Sequence, residues 1–227
     1  MSGGDQTIWT LIEEAAGGAA EPRDEFARLY LPLVRKYLGE RWRGSPLAEE
    51  VEDAAQDVLV ECMKNGGILE RAQRGRPQGF RAFLFGAARN VARRHETERT
   101  ARPRPGTGSR TPNDLRAREE DLGELLDREW ARALVRQAAE LHRMTALVRG
   151  AVAREGVELL RLCFEEGLPL REIAARWDVD PATVHRRYRQ AREEFRRSLR
   201  KVVAFHQPGA GDLDAECRRL LELLGGE

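Results

Sequence analysis

Lysine is scarce in this 227-residue chain. It is confined to Lys36, Lys64 and Lys201, so nearly all of the 39 basic residues are arginine. The 38 acidic residues bring the formal net charge to +1. Total charge therefore gives no argument for a nucleic-acid or membrane-surface partner, and only the distribution of charge can. Aromatics make up 6%, so any core has to be aliphatic and spread over several elements. Cysteine is limited to Cys62, Cys163 and Cys217, with no CxxC or CxxH spacing. Each falls on the apolar stripe of a predicted helix and is expected as a buried thiol in a reducing compartment. No apolar run approaches the roughly 20 residues that span a bilayer, and Met1–Gly4 lacks a basic start followed by an apolar run. The expectation is a soluble, cytoplasmic protein that does not insert in membranes. The four histidines, His95, His142, His185 and His206, are scattered on polar faces. There is no Ser/His/Asp arrangement, paired-carboxylate site, phosphate loop or metal spacing. The sequence offers no catalytic residue, no metal site and no cofactor, and an enzyme is not expected.

What is present is helical period, with no segment alternating as a strand would. The expected fold is all-α, as two small helical domains joined by a flexible linker. A short helix with Ile8, Leu11, Ile12 and Ala15 stops at Gly17-Gly18. The stripe Phe26, Leu29, Tyr30, Leu33, Val34, Tyr37 and Leu38 follows, with Pro32 inside it to kink or delay the helix. A third helix carries Val51, Ala54, Ala55, Val58, Leu59, Cys62 and Met63. A loop runs from Gly66 to Gln78, and a fourth helix carries Phe80, Phe83, Leu84, Ala87, Ala88 and Val91. Residues 5–99 thus suffice for one helical domain. The linker is expected over 100–121, because TARPRPGTGSRTP from Thr100 is rich in Pro, Gly, Ser and Thr. A second domain is expected over 122–205, and His206-Gln207-Pro208-Gly209 breaks it from an amphipathic extension over 206–227.

Within the second domain, LREIAARWDVDPATVHRRYRQAR from Leu170 to Arg192 has the pattern of a helix-turn-helix. Ile173, Ala174 and Trp177 give the first helix an apolar face, with the small Ala174 where the helices cross. Asp178-Val179-Asp180 is the turn. Asp180 can N-cap the second helix, and Pro181 sits where its missing N–H costs nothing. Val184, Tyr188 and Ala191 point inward. Thr183, His185, Arg186, Arg187 and Arg189 are left outward, where arginine can read guanine or grip phosphate.

Two further faces carry charge. The helix from Glu49 to Met63 presents Glu49, Glu52, Asp53, Gln56, Asp57 and Glu61 opposite its apolar stripe. The next segment, FRAFLFGAARNVARRHETER, sets aromatics beside Arg89, Asn90, Arg93, Arg94, His95 and Arg99, a mixture suited to the backbone and splayed bases of a single strand.

Taken in order, these pieces resemble an RNA polymerase sigma factor of the extracytoplasmic-function group, the small two-domain branch of the sigma-70 family. LYLPLVRKYL resembles the opening helix of sigma region two, and VEDAAQDVLVECM the family's acidic helix. FRAFLFGAARNVARR resembles the F-R-x-W-L-x-x-I-A-R-N pattern, and the helix-turn-helix resembles that of region four. The likeness spans about residues 6–203. It implies that Asp53, Gln56 and Asp57 dock on the β′ clamp helices of core RNA polymerase, with the β flap as a second contact. It implies that Phe80, Phe83, Arg89, Asn90, Arg93 and Arg94 recognise and open the minus-10 element. Thr183, His185, Arg186, Arg187 and Arg189 would then read minus-35 promoter DNA. Many members of the group are held by an anti-sigma factor, which makes one a candidate partner. Phe83 stands where the family has tryptophan and Asp178 where it has glycine. The stretch after His206 lies outside the two-domain plan, and the loop Gly66–Gln78 is longer and more basic than the pattern. The competing reading is a stand-alone helix-turn-helix regulator that binds duplex DNA without polymerase. An adaptor for another helical protein is also compatible with the acidic helix, but does not account for the arginine-rich one.

Overall fold

Amphipathic periods of this kind fold into helices that must bury their apolar stripes on one another. The computed structural model describes residues 8–64, 79–100, 112–207 and 211–225. Among them are nine α-helices and no strand: α1 (Ile8–Ala16), α2 (Ala20–Arg41), α3 (Val51–Met63), α4 (Gly79–Thr100), α5 (Pro112–Arg149), α6 (Ala151–Phe164), α7 (Leu170–Trp177), α8 (Pro181–His206) and α9 (Leu213–Gly225). The expected loop from Gly66 to Gln78 falls outside the described residues. So does Ala101–Thr111 of the expected linker.

The helix boundaries follow from local chemistry. α1 ends where expected, with Gly17 N–H donating to the Glu13 carbonyl at 2.9 Å. The Ala15 carbonyl at that helix end accepts from Gly18 N–H at 3.2 Å and from the Arg23 guanidinium at 2.8 Å. α2 starts at Ala20 and continues through Pro32. Pro32 and Arg28 are both exposed, so the carbonyl that loses its partner lies on the watered side of the helix. A 3-10 turn over Pro46–Glu50 precedes α3, with the Ser45 hydroxyl accepting from Leu47 N–H. The linker expectation of 100–121 requires correction at both ends. Thr100 still belongs to α4 and α5 already begins at Pro112. Proline is tolerated at a first helical turn, and NDLRAREEDLGELLDREW after it contains mostly strong helix formers.

The chain divides into two compact units. The first takes the described residues up to Ala133 and again from Ala204 onward, and the second is Leu134–Val203. Residues 122–133 and the C-terminal segment belong with the N-terminal helices.

In the first unit α2, α3 and α4 bury the predicted stripes, including Phe26, Leu38, Val58, Cys62, Leu84 and Val91. An aromatic cluster forms around Tyr30. Its ring lies 4.8 Å from Phe26 and 4.8 Å from Phe80, and stacks on Trp130 at 6.2 Å. His206 closes this cluster. It is 1% exposed, its Nδ1 lies 2.8 Å from the Tyr30 hydroxyl, and its ring meets Trp130 edge-on at 5.4 Å. Burial pushes its pKa down to about 3. The same burial, with Glu25 adding to it, raises the Tyr30 hydroxyl well above the ordinary tyrosine range. The C-terminal segment adds Cys217 and Leu220 to the buried set, and Gln207 donates to Glu216 at 3.1 Å. The expectation that all four histidines sit on polar faces is wrong for His142 and His206, both of which are buried.

In the second unit Leu159, Leu162, Ile173, Ala174 and Val184 form the buried centre, with Trp177, Val179 and Tyr188 packed against it. α5 and α6 are separated by Gly150 alone, at φ +102, a region costly for any side chain. α6 and α8 come close at Gly156, where a Cβ would stand 3.2 Å from that of Ala191.

Candidate nucleic-acid interface

The helix-turn-helix is built as its sequence requires. α7 ends at Trp177 and is capped by Asp178, the single described non-glycine residue with positive φ, at φ 51 and ψ 48. Asp is among the residues that pay least for this conformation. Val179 N–H reaches back to the Ala174 carbonyl at 3.0 Å and Asp178 N–H to Ala175 at 3.3 Å, which closes the helix end. The Asp180 carboxylate accepts from Thr183 N–H at 3.1 Å, so Asp180 caps α8 and Pro181 opens it. Ile173, Ala174, Val184 and Ala191 are buried beneath.

The predicted outward residues divide into two groups. His185, Arg186 and Arg189 are exposed. Thr183 and Arg187 are half-buried, and Arg187 is held by Glu155 of α6 at 2.9 Å. Arg186 leans on the Thr183 hydroxyl at 3.4 Å. The residues best placed to meet an incoming ligand are therefore His185, Arg186 and Arg189.

In the first unit, the acidic face of α3 and the basic end of α4 are cross-bridged. Arg94 donates to Asp57 at 2.8 Å and approaches Glu61 at 3.5 Å. His95 lies 3.2 Å from both the Glu50 and Asp57 carboxylates. Burial alone would lower the His95 pKa, but the two hydrogen-bonded carboxylates outweigh it and hold it above the ordinary histidine value. His95, followed by Arg99 at 2.7 Å, in turn lowers the Glu50 carboxyl. Asp53 and Gln56 remain exposed on α3, and Arg89, Asn90 and Arg93 are exposed on α4. Phe80 and Phe83 are not. They are 1% and 6% exposed and lie 6.0 Å apart within the aromatic cluster. They were expected, with Arg89, Asn90, Arg93 and Arg94, to recognise and open the minus-10 element, and their burial leaves them little surface for a direct contact. They fill the core beneath the polar face of α4.

One node was not legible from helical period. Glu96 accepts from Arg41 at 2.7 Å and from the Trp42 indole at 2.9 Å. Its carboxyl faces a burial penalty, but Arg41 and Trp42 more than offset it and keep its pKa below the usual range. The RWR run at 41–43 with a carboxylate on the following basic helix was its one sequence sign. Among the described residues no group of three His, Cys, Asp or Glu could hold a metal ion, and no helix is long and apolar enough to cross a membrane. No family model matches the chain, and neither the curated proteins nor the solved structures give a match.

Proposed function

We propose that this protein is a sigma factor of the extracytoplasmic-function group, which binds core RNA polymerase and directs it to a subset of promoters. The observation that carries the proposal is the capped helix-turn-helix with His185, Arg186 and Arg189 exposed at the start of α8. A recognition helix of this kind enters the major groove by its N-terminal residues, where arginine can bind guanine in bidentate fashion. Arg187, held by Glu155, serves there as a support and not as a reader. The first unit supports the other half of the proposal. Exposed Asp53 and Gln56, with Asp57 beside them, offer a carboxylate face to the β′ clamp helices. Exposed Arg89, Asn90 and Arg93 offer polar contacts to the minus-10 strand. Taking bases out of the stack costs a few kcal/mol, and polymerase binding has to offset it. The mechanism is assembly and DNA opening in the cytoplasm, with no covalent chemistry and no cofactor. The β flap and an anti-sigma factor are further partners on this reading.

The test is run-off transcription with core RNA polymerase on fragments of the source genome. Promoter-specific transcripts that require the protein support the proposal. If no transcript forms while the protein alone shifts duplex DNA, the stand-alone regulator replaces it.

A further inference from the structure

Arginine does not stop at the reading segment of α8. Arg189, Arg192 and Arg196 follow at i, i+3 and i+7, a spacing that puts them on one side of a helix. With Glu193 they line a shallow, solvent-open depression of about 180 Å³. The guanidinium groups there are partly pre-set. Arg192 lies over the Tyr188 ring at 5.6 Å, a cation–π contact that fixes its direction. Arg196 is steered by Glu193 at 3.2 Å. Arg189 has no carboxylate partner among the described residues. Three converging guanidinium groups around one carboxylate leave a net positive seat. It lies about 10 Å along the axis between its outer members, from the 1.5 Å rise per residue.

We propose that Arg189, Arg192 and Arg196 form a seat for backbone phosphate of duplex DNA. It would begin at the last base-reading position and continue two turns past it. The proposal rests on the helix-turn-helix reading above. It assigns Arg192 and Arg196 a role that the motif did not give them, as sequence-blind anchors that fix the register of the reading helix. Glu193 aligns Arg196 but weakens the field, so its neutralisation should tighten binding.

The experiment is fluorescence anisotropy of the full-length chain with two labelled duplexes, one carrying the promoter recovered by run-off and one of scrambled sequence, titrated with salt. Arg192→Gln and Arg196→Gln each should reduce the slope of log K against log salt by about 0.9. Between 50 and 200 mM salt, each variant should then lose about 3.5-fold less affinity than the parent. Both duplexes should respond equally, and Glu193→Gln should bind more tightly than the parent. Unchanged slopes, a loss confined to the promoter duplex, or absence of duplex binding by the parent chain would each overturn the seat. The last outcome leaves the sigma-factor reading to be judged by run-off alone. Glutamine keeps helix propensity at these exposed sites, and an unchanged melting temperature checks that the fold is intact.

Discussion

His206 should make the first unit sensitive to acid, and the size of the effect can be worked out. Its ordinary pKa is 6.5 and its buried value about 3. Above pH 6.5 the ring is neutral whether the chain is folded or not, and it contributes no pH dependence. Between 6.5 and about 3 the unfolded chain takes up a proton that the folded chain refuses. Stability then falls as the pH falls, by about 1.4 kcal/mol per pH unit, and flattens below about 3. At pH 5.0 the loss is roughly 2 kcal/mol, a sizeable share of the roughly 5–15 kcal/mol that holds a domain together. His95 acts with the opposite sign. Its raised pKa gives stability that is fully present below 6.5 and is lost as pH rises through its folded value. His142, lowered by burial in the second unit, acts in the same sense as His206. The measurement therefore has to be a difference.

Urea unfolding followed by tryptophan fluorescence at pH 7.5 and 5.0 should be compared for the parent and a Tyr30→Phe/His206→Phe double variant. Both partners are replaced because His206→Phe alone strands the buried Tyr30 hydroxyl, at a cost of roughly 1–3 kcal/mol. The parent should lose roughly 2 kcal/mol more than the variant over that interval. Equal losses would refute the argument, because the imidazole would then be reaching water without unfolding.

Three further outcomes follow from single contacts. Gly156→Leu should destabilise the second unit by about 1–3 kcal/mol in thermal melts, since even a Cβ at this position meets that of Ala191 at 3.2 Å. Asp180→Ala should cost about 1 kcal/mol through loss of the cap on Thr183 N–H, read in thermal melts followed by circular dichroism; an unchanged melt would mean that water replaces the cap at no cost. Arg186→Ala should weaken binding to upstream promoter DNA by about 1–3 kcal/mol and relax specificity at one base position, and a loss that is equal on all sequences would demote it to a phosphate contact.

The helix-turn-helix was legible in the sequence because its determinants are local. The cap, the proline and the left-handed aspartate all lie within four residues, and the apolar stripe that fixes their orientation has a fixed period. Long-range pairings were not legible. Nothing in the period of α8 indicates that His206 lies against Tyr30, 176 positions away. The HQPG run read as a break, although the helix keeps His206 and buries it. Phe80 and Phe83 illustrate a different limit. A stripe says which residues share a face, but an aromatic stripe beside arginines suits both a core and a stacking platform. Only the packing of Tyr30 and Trp130 against Phe80 decides for the core. Gly156 was missed because glycine inside a helix carries no apolar signal, and its use is to let Ala191 approach. The linker was drawn too long because the residues after Pro112 are polar, while helix propensity and not hydrophobicity governs them.

Asp53 and Asp57 look equivalent in the sequence but should behave differently as probes of the proposed polymerase contact. Asp57 is already engaged by Arg94 and His95. Replacing it with lysine would remove two attractions and set a cation against both. These pairs are about half exposed at Asp57, where a single ion pair is worth about 0–1 kcal/mol, so a partner could displace them at low cost. The substitution itself is a reversal, however, and lowers stability together with any binding. Asp53 is exposed one turn earlier on α3, outside that cluster. Asp53→Lys loses the favourable acid of the first turn of α3, so it should lower the melting temperature slightly, by less than Asp57→Lys, and weaken binding to core RNA polymerase at least several-fold, more at low salt than at high salt. Asp57→Lys should reduce both quantities. If Asp53→Lys binds core enzyme as the parent does while Asp57→Lys fails, the loss belongs to folding and the acidic face of α3 is not the docking surface.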